Sequence, residues 1–120
     1  MKNYKNTLTA GILHSSQIYT YRTKDGRAYF SFSYVWTSGG YYQINIHKTP
    51  NYNGRSDSSS VAHWLSTSSN GASRKICFHS GKEPKSLDIT QKFSTHWAEL
   101  TWKYICTGVT IDQQFIRTNN

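Results

Sequence analysis

"SLDITQKFSTHWAELTWKYICTG", residues 86–108, is the stretch that decides the fold. Ile89, Phe93, Trp97, Leu100 and Tyr104 recur at spacings of four, four, three and four, the repeat of one face of an α-helix. Asp88 stands where an N-cap would, with Gln91 three residues later to complete a capping box. Gly108, after Thr107, supplies the left-handed residue on which helices commonly end. The period predicts one long helix over 86–107.

Upstream the period changes to two. "QIYTYRT" (17–23) and "AYFSFSYV" (28–35) alternate apolar and polar residues, and "KDG" between them reads as a turn with glycine at positive φ. "TSGG" (37–40) leads into "YYQINIH" (41–47), a third strand. Alternation sends Phe30, Phe32 and Tyr34 to one face, which such a meander needs as its core. "KTPNYNGRSDSSS" (48–60) has neither period and reads as a loop, "VAHWL" (61–65) as a short fourth strand, and "STSSNGASR" (66–74) as a second flexible loop before "KICF". Loops this long in a compact domain point to a working surface. The expected class is α+β: an antiparallel β-meander, an irregular active-site region, then a long C-terminal helix. One domain spans 1–120, with 1–16 a poorly defined N-terminal segment.

The 120 residues suffice for one modest core, and aromatics at 15% make tyrosine and tryptophan its main material. Fourteen Lys and Arg against six Asp and Glu give a net charge of +8, which favours nucleic acid, anionic membrane or an acidic protein as partners. These charges form no run, so a solvated basic surface is the plainer reading. No segment has the roughly 18 apolar residues of a membrane span, and the N-terminus lacks a signal-peptide core, so the expected location is the cytoplasm, with Cys77 and Cys106 as free thiols.

Cys77 lies between Ile76 and Phe78, with Arg74, Lys75, His79, Lys82 and Lys85 within eight residues. Nearby cations favour the thiolate that a nucleophilic cysteine requires. A lone cysteine between Ile and Phe is more often a core residue than a nucleophile. His47, His63, Cys77, His79 and His96 include no close-spaced Cys pair or H-E-x-x-H pattern, so no metal or other cofactor is expected. His96 reads as a helix-surface residue and Cys106 as a packing residue near the helix end. Tyr29, Phe30, Phe32 and Tyr34 beside Arg22 and Arg27 offer a stacking platform for single-stranded nucleic acid as the alternative to a core. No glycine-rich phosphate loop, carboxylate pair or G-x-S-x-G elbow is present.

The order of these parts resembles the bacterial E2-like (ubiquitin-conjugating-enzyme-like) family. "YYQINIHKTPNYNGR" looks like the family's third strand and the proline-containing loop after it, His63 stands where its "H-P-N" histidine would, and "ICF" looks like its "I-C-L" site. The segment 86–108, with Asp88, Trp97, Trp102, Tyr104 and Thr107-Gly108, is similar to the helix that follows the cysteine. The resemblance spans roughly residues 28–110 and implies an E2/UBC-like fold. Cys77 would carry a ubiquitin-like modifier or a protein C-terminus as a thioester for transfer to an amine, with a ubiquitin-like protein and an E1-like activating enzyme as partners. His63 or His79 would orient the backbone or move a proton. Trp64 and Leu65 follow His63 where the family has Pro-Asn, so Asn70 becomes the candidate oxyanion donor. Arg74, Lys75, Lys82 and Lys85 are the candidate substrate-binding residues. Two alternatives stand beside this: an inactive E2-like adaptor, and a small basic module that binds nucleic acid or an acidic protein, for example in defence against phage.

Overall fold

A computed structural model describes residues 17–119, with side chains as far as Phe115. The expectation for residues 1–16 falls outside them. The described elements are β1 (Tyr19–Arg22), β2 (Tyr29–Trp36), β3 (Tyr42–Lys48), α1 (Ser59–Ala62), β4 (Trp64–Ser69), β5 (Ala72–Ile76), α2 (Leu87–Thr107) and α3 (Ile111–Asn119). The five strands form one sheet in the order β1-β2-β3-β5-β4, every pair antiparallel. No helix among the described residues is long and apolar enough to cross a membrane. The class is α+β, as the two periods predict.

The meander forms where alternation places it. Gly26 takes φ 76° in the β1–β2 turn and its N–H donates to Thr23 O at 2.8 Å. Phe32 pairs with Ile46 and Tyr34 with Ile44, so four large apolar side chains share the face toward α2, and all are buried. Their burial settles the choice between core and nucleic-acid platform at Phe30, Phe32 and Tyr34 in favour of the core.

Residues 61–76 overturn two expectations. Val61 and Ala62 belong to the short helix α1 and not to a strand. The segment expected as a flexible loop is a β-hairpin: Asn70 (φ 53°) and Gly71 (φ 83°) are two successive left-handed residues, the conformation of a type I′ turn, and Ser69 pairs with Ala72, Ser66 with Arg74 and Trp64 with Ile76. β5 then joins β3 through Asn45–Lys75 and Ile46–Arg74, which makes the sheet five-stranded. Asn-Gly is the strongest short hairpin signal a sequence offers, and serine-rich flanks hide it when strands are sought by hydrophobicity.

A polar network fixes that hairpin to the sheet face turned away from α2. Asn45, fully buried, donates through Nδ2 to Ser33 Oγ (3.2 Å) and Ser69 Oγ (3.1 Å). Gln43 Nε2 donates to Asn45 Oδ1 (2.8 Å) and Thr67 Oγ1 (3.2 Å). These bonds join β2, β3 and β4 and satisfy amides whose burial would otherwise be unfavourable.

Helix α2 keeps the predicted length and part of the predicted seam: Trp97 and Tyr104 are buried, while the most deeply buried stripe lies beside them. Its cap is Ser86, extended at φ −134°, whose Oγ accepts from Ile89 N–H at 3.2 Å; Asp88 instead lies in the first turn, 3.3 Å from Lys92 Nζ. Thr90, Ser94, Ala98 and Thr101 are the fully buried residues, whereas Ile89 is exposed and Phe93 and Leu100 only half-buried. The sheet already presents Phe30, Phe32 and Tyr34, so close packing needs a small-residue stripe opposite them, with larger side chains along its margins. Tyr34 OH bonds Ser94 Oγ across this contact at 2.8 Å. Trp97 fills the margin, its ring edge-on to Phe30 (5.8 Å, 80°) and Phe32 (6.1 Å, 77°). Gly108 ends the helix at φ 81°, its N–H donating to Tyr104 O. Thr110 and Gln113 then form a reciprocal capping box for α3, Gln113 N–H to Thr110 Oγ1 (3.2 Å) and Thr110 N–H to Gln113 Oε1 (2.9 Å).

Candidate functional site

Cys77 follows directly on β5, and its thiol is exposed and free, so it is not a core residue. The backbone around it is held at four points. Cys77 N–H donates to His63 O at 3.0 Å, and the Phe78 ring packs on Phe93 of α2 with centroids 5.5 Å apart. A turn over 79–82 closes with Lys82 N–H on His79 O at 2.9 Å, and Tyr42 N–H donates to Pro84 O at 2.8 Å, returning the segment to the start of β3. A mobile-looking stretch of sequence is thus a fixed ledge at one end of the sheet.

His63 is the pivot of that ledge. It occupies the left-handed region at φ 58° as the C-cap of α1, and its N–H donates to Ser59 O. The preceding carbonyl, Ala62 O, accepts from Trp97 Nε1 at 2.9 Å, so the mid-helix tryptophan anchors α1 from below. The imidazole turns to α3: Nε2 lies 2.9 Å from Asp112 Oδ1, within ion-pair range though without hydrogen-bond alignment. His63 and Cys77 are therefore joined through the backbone, while the ring is committed to Asp112.

The other predicted residues disperse. Asn70 sits in the hairpin turn at the far end of β5, and the length of that strand, roughly 17 Å, separates it from Cys77. Arg74 is held by Asp57 (3.2 Å) and stacks on Trp64 at 4.0 Å from the ring centroid. His79, Lys82 and Lys85 are exposed on the segment after Cys77 and Lys75 is half-exposed on β5, so these four do remain around the thiol's end of the sheet. His96 is exposed on α2 against Phe115, as a surface histidine. Cys106, expected to pack, is exposed.

Both sequence neighbours of Cys77 line a shallow depression of about 180 Å³, Ile76 and Phe78 on one side, with Tyr41, Gln43, Leu65, Lys75 and Glu83 completing it. Its lining is mixed, with apolar Leu65, Ile76 and Phe78 beside polar Gln43 and one residue of each charge, Lys75 and Glu83. Leu65, half-exposed on the edge strand β4, is the residue sequence reasoning passed over. The alternation of Leu65 with Trp64 across an edge hairpin was its only signal.

One more pair has catalytic spacing. Ser33 Oγ lies 2.7 Å from His47 Nε2, the distance of a nucleophile from its base. Ser33 is fully buried, however, and already accepts from Asn45, so no carbonyl can reach it. Burial also lowers the His47 pKa from its ordinary 6.5, which keeps the ring neutral in this network. Among the described residues no group of three or more His, Cys, Asp and Glu stands together to hold a metal ion. No protein-family model, no curated protein and no solved structure matches the chain.

Proposed function

We propose that the protein is an E2-like conjugating protein that carries an acyl group on Cys77 and passes it to an amine. The observation that supports this most is an exposed thiol on an anchored backbone, with the residues on both of its sides lining one surface depression. The Cys77 thiolate attacks the activated C-terminal carbonyl of a ubiquitin-like protein delivered by an E1-like enzyme. The new C–S bond forms as the bond to the activating group breaks. An amine then attacks the thioester carbonyl, the C–N bond forms, and the thiolate leaves. The depression holds the tail of the incoming chain, and Lys75, His79, Lys82 and Lys85 present positive charge to its body. A backbone N–H of the ledge serves as oxyanion donor in place of Asn70, which lies too far away.

Intact mass under non-reducing conditions tests this, on tagged protein recovered from its host or coexpressed with its gene neighbours. Wild type should carry a thiol-sensitive adduct, Cys77→Ser a thiol-stable ester of the same added mass, and Cys77→Ala none. Folded wild type that carries nothing beside an active E1-like enzyme and its modifier would overturn acyl carriage. If it nonetheless binds that modifier, the adaptor reading takes its place.

A further inference from the structure

A second surface lies away from Cys77, where the β1–β2 turn meets the outward side of α2. Lys24, Asp25 and Arg27 of the turn face Leu100, Trp102, Lys103 and Cys106 of the helix across a cavity of about 410 Å³. A neighbouring cavity of about 450 Å³ lies between Tyr21 and Lys24 on one side and Lys92, Phe93 and His96 on the other. Lys24, His96 and Glu99 line both, so the two form one groove along the helix.

The two carboxylates in the groove are turned to structural use. Asp25 accepts from Thr23 Oγ1 (2.7 Å), Arg27 N–H (3.0 Å) and Trp102 Nε1 (2.7 Å), and these bonds hold its pKa down at about 2. Glu99 Oε2 accepts from Tyr21 OH and from Lys24 N–H at 2.9 Å. Both acids thereby tie the turn to the helix and shape the groove. Both stay anionic, and four cations outnumber them along the groove. Lys24 and Lys103 have no side-chain partner among the described residues, Arg27 lies 3.9 Å from Asp25, and Lys92 keeps a single exposed contact with Asp88.

We propose that this groove binds an acidic, extended peptide segment of a partner protein, independently of any chemistry at Cys77. Lys92 and Lys103 are separated by about 16 Å along α2, the length of about five extended residues. Cations at both ends and on the opposite wall match carboxylates, while Phe93 and Leu100 between them match intervening apolar side chains. Single-stranded nucleic acid fits less well, because it needs free aromatic faces for its bases and the one indole here, Trp102, already has the Arg27 guanidinium over its ring at 5.5 Å.

The test uses a fluorescein-labelled peptide, EDLEDLE, its neutral counterpart QNLQNLQ, and oligothymidylate, with anisotropy at low and high salt and NMR of the Trp102 indole N–H. EDLEDLE should bind saturably, shift the Trp102 resonance and weaken as salt rises. Lys103→Glu should weaken it by about tenfold, and Lys24→Glu with Lys103→Glu by more, whereas Lys48→Glu, the same charge change at a residue that does not line the groove, should alter it by less than about threefold. Equal weakening by Lys48→Glu and Lys103→Glu would reduce the effect to diffuse charge and overturn the groove. Oligothymidylate that binds more tightly and displaces the peptide from Trp102 would overturn the peptide in favour of nucleic acid. Absence of saturable EDLEDLE binding to folded protein overturns the proposal outright.

Discussion

Trp97 links α2 to both β2 and α1. Its ring fills the margin between α2 and the β2 aromatics, and its Nε1 holds the carbonyl beneath His63. Trp97→Phe keeps most of the ring contact but leaves Ala62 O buried without a donor, a loss of about 1–3 kcal/mol by urea denaturation. Because His63 O holds Cys77 N–H, the same variant should also change the rate at which Cys77 is alkylated, read against Cys106 in the same sample. Thr101 shows the reverse case. Its hydroxyl is buried in the small-residue stripe without a partner among the described residues, so Thr101→Val, of nearly equal shape, should raise stability by about 1 kcal/mol. A decrease in the denaturation midpoint would show that the hydroxyl has a role in the helix–sheet contact.

At the scale of elements, α2 is defined by its ends as much as by its period. Ser86 satisfies the Ile89 N–H, and Ser86→Ala should cost about 1 kcal/mol, whereas Asp88→Ala should cost only the few tenths of an exposed i,i+4 pair. Thermal midpoints of the two variants side by side separate the cap that forms from the one the sequence pattern suggested. At the other end Gly108 is left-handed, and a Cβ there would meet Arg55 Nη1 at 2.8 Å. Gly108→Ala should therefore cost at least about 1 kcal/mol from backbone strain, and should also disturb Arg55, which donates to Ile105 O at 3.3 Å and fastens the loop before α1 to the helix end. Tyr104 OH, on Ser56 O at 2.8 Å, fastens the same loop.

Three titrations bound the pH range in which the whole molecule is stable, two on the acid side and one on the alkaline side. Burial lowers the His47 pKa below its ordinary 6.5, so the unfolded chain binds a proton that the native state refuses; that stability is full above pH 6.5 and is lost as pH falls below it. Asp25 adds a second loss between 3.8 and about 2, where its hydrogen bonds to the turn and Trp102 give way. Burial pushes Tyr52 from 10.0 up to about 12, so the unfolded phenol ionises first and stability is lost as pH rises through that window. Urea midpoints should fall between about pH 7.5 and 5.5 in wild type and fall less in His47→Gln; equal slopes would remove His47 as the cause. The sequence by itself determined what depends on neighbours a few residues apart: the meander and its aromatic core at Phe30, Phe32 and Tyr34, the length of α2, and its stop at Gly108. The Asn70-Gly71 turn and the Thr110–Gln113 box were legible too, but serine-rich flanks and a weak apolar period obscured them. Only the tertiary structure decided which face of α2 is buried, because the bulk of the β2 side chains selects the small-residue stripe opposite. It alone set His63 against Asp112, forty-nine positions along the chain, and moved Asn70 a strand's length from Cys77. Periodicity records which way a side chain points along its own element, whereas the partner it meets depends on how distant elements pack.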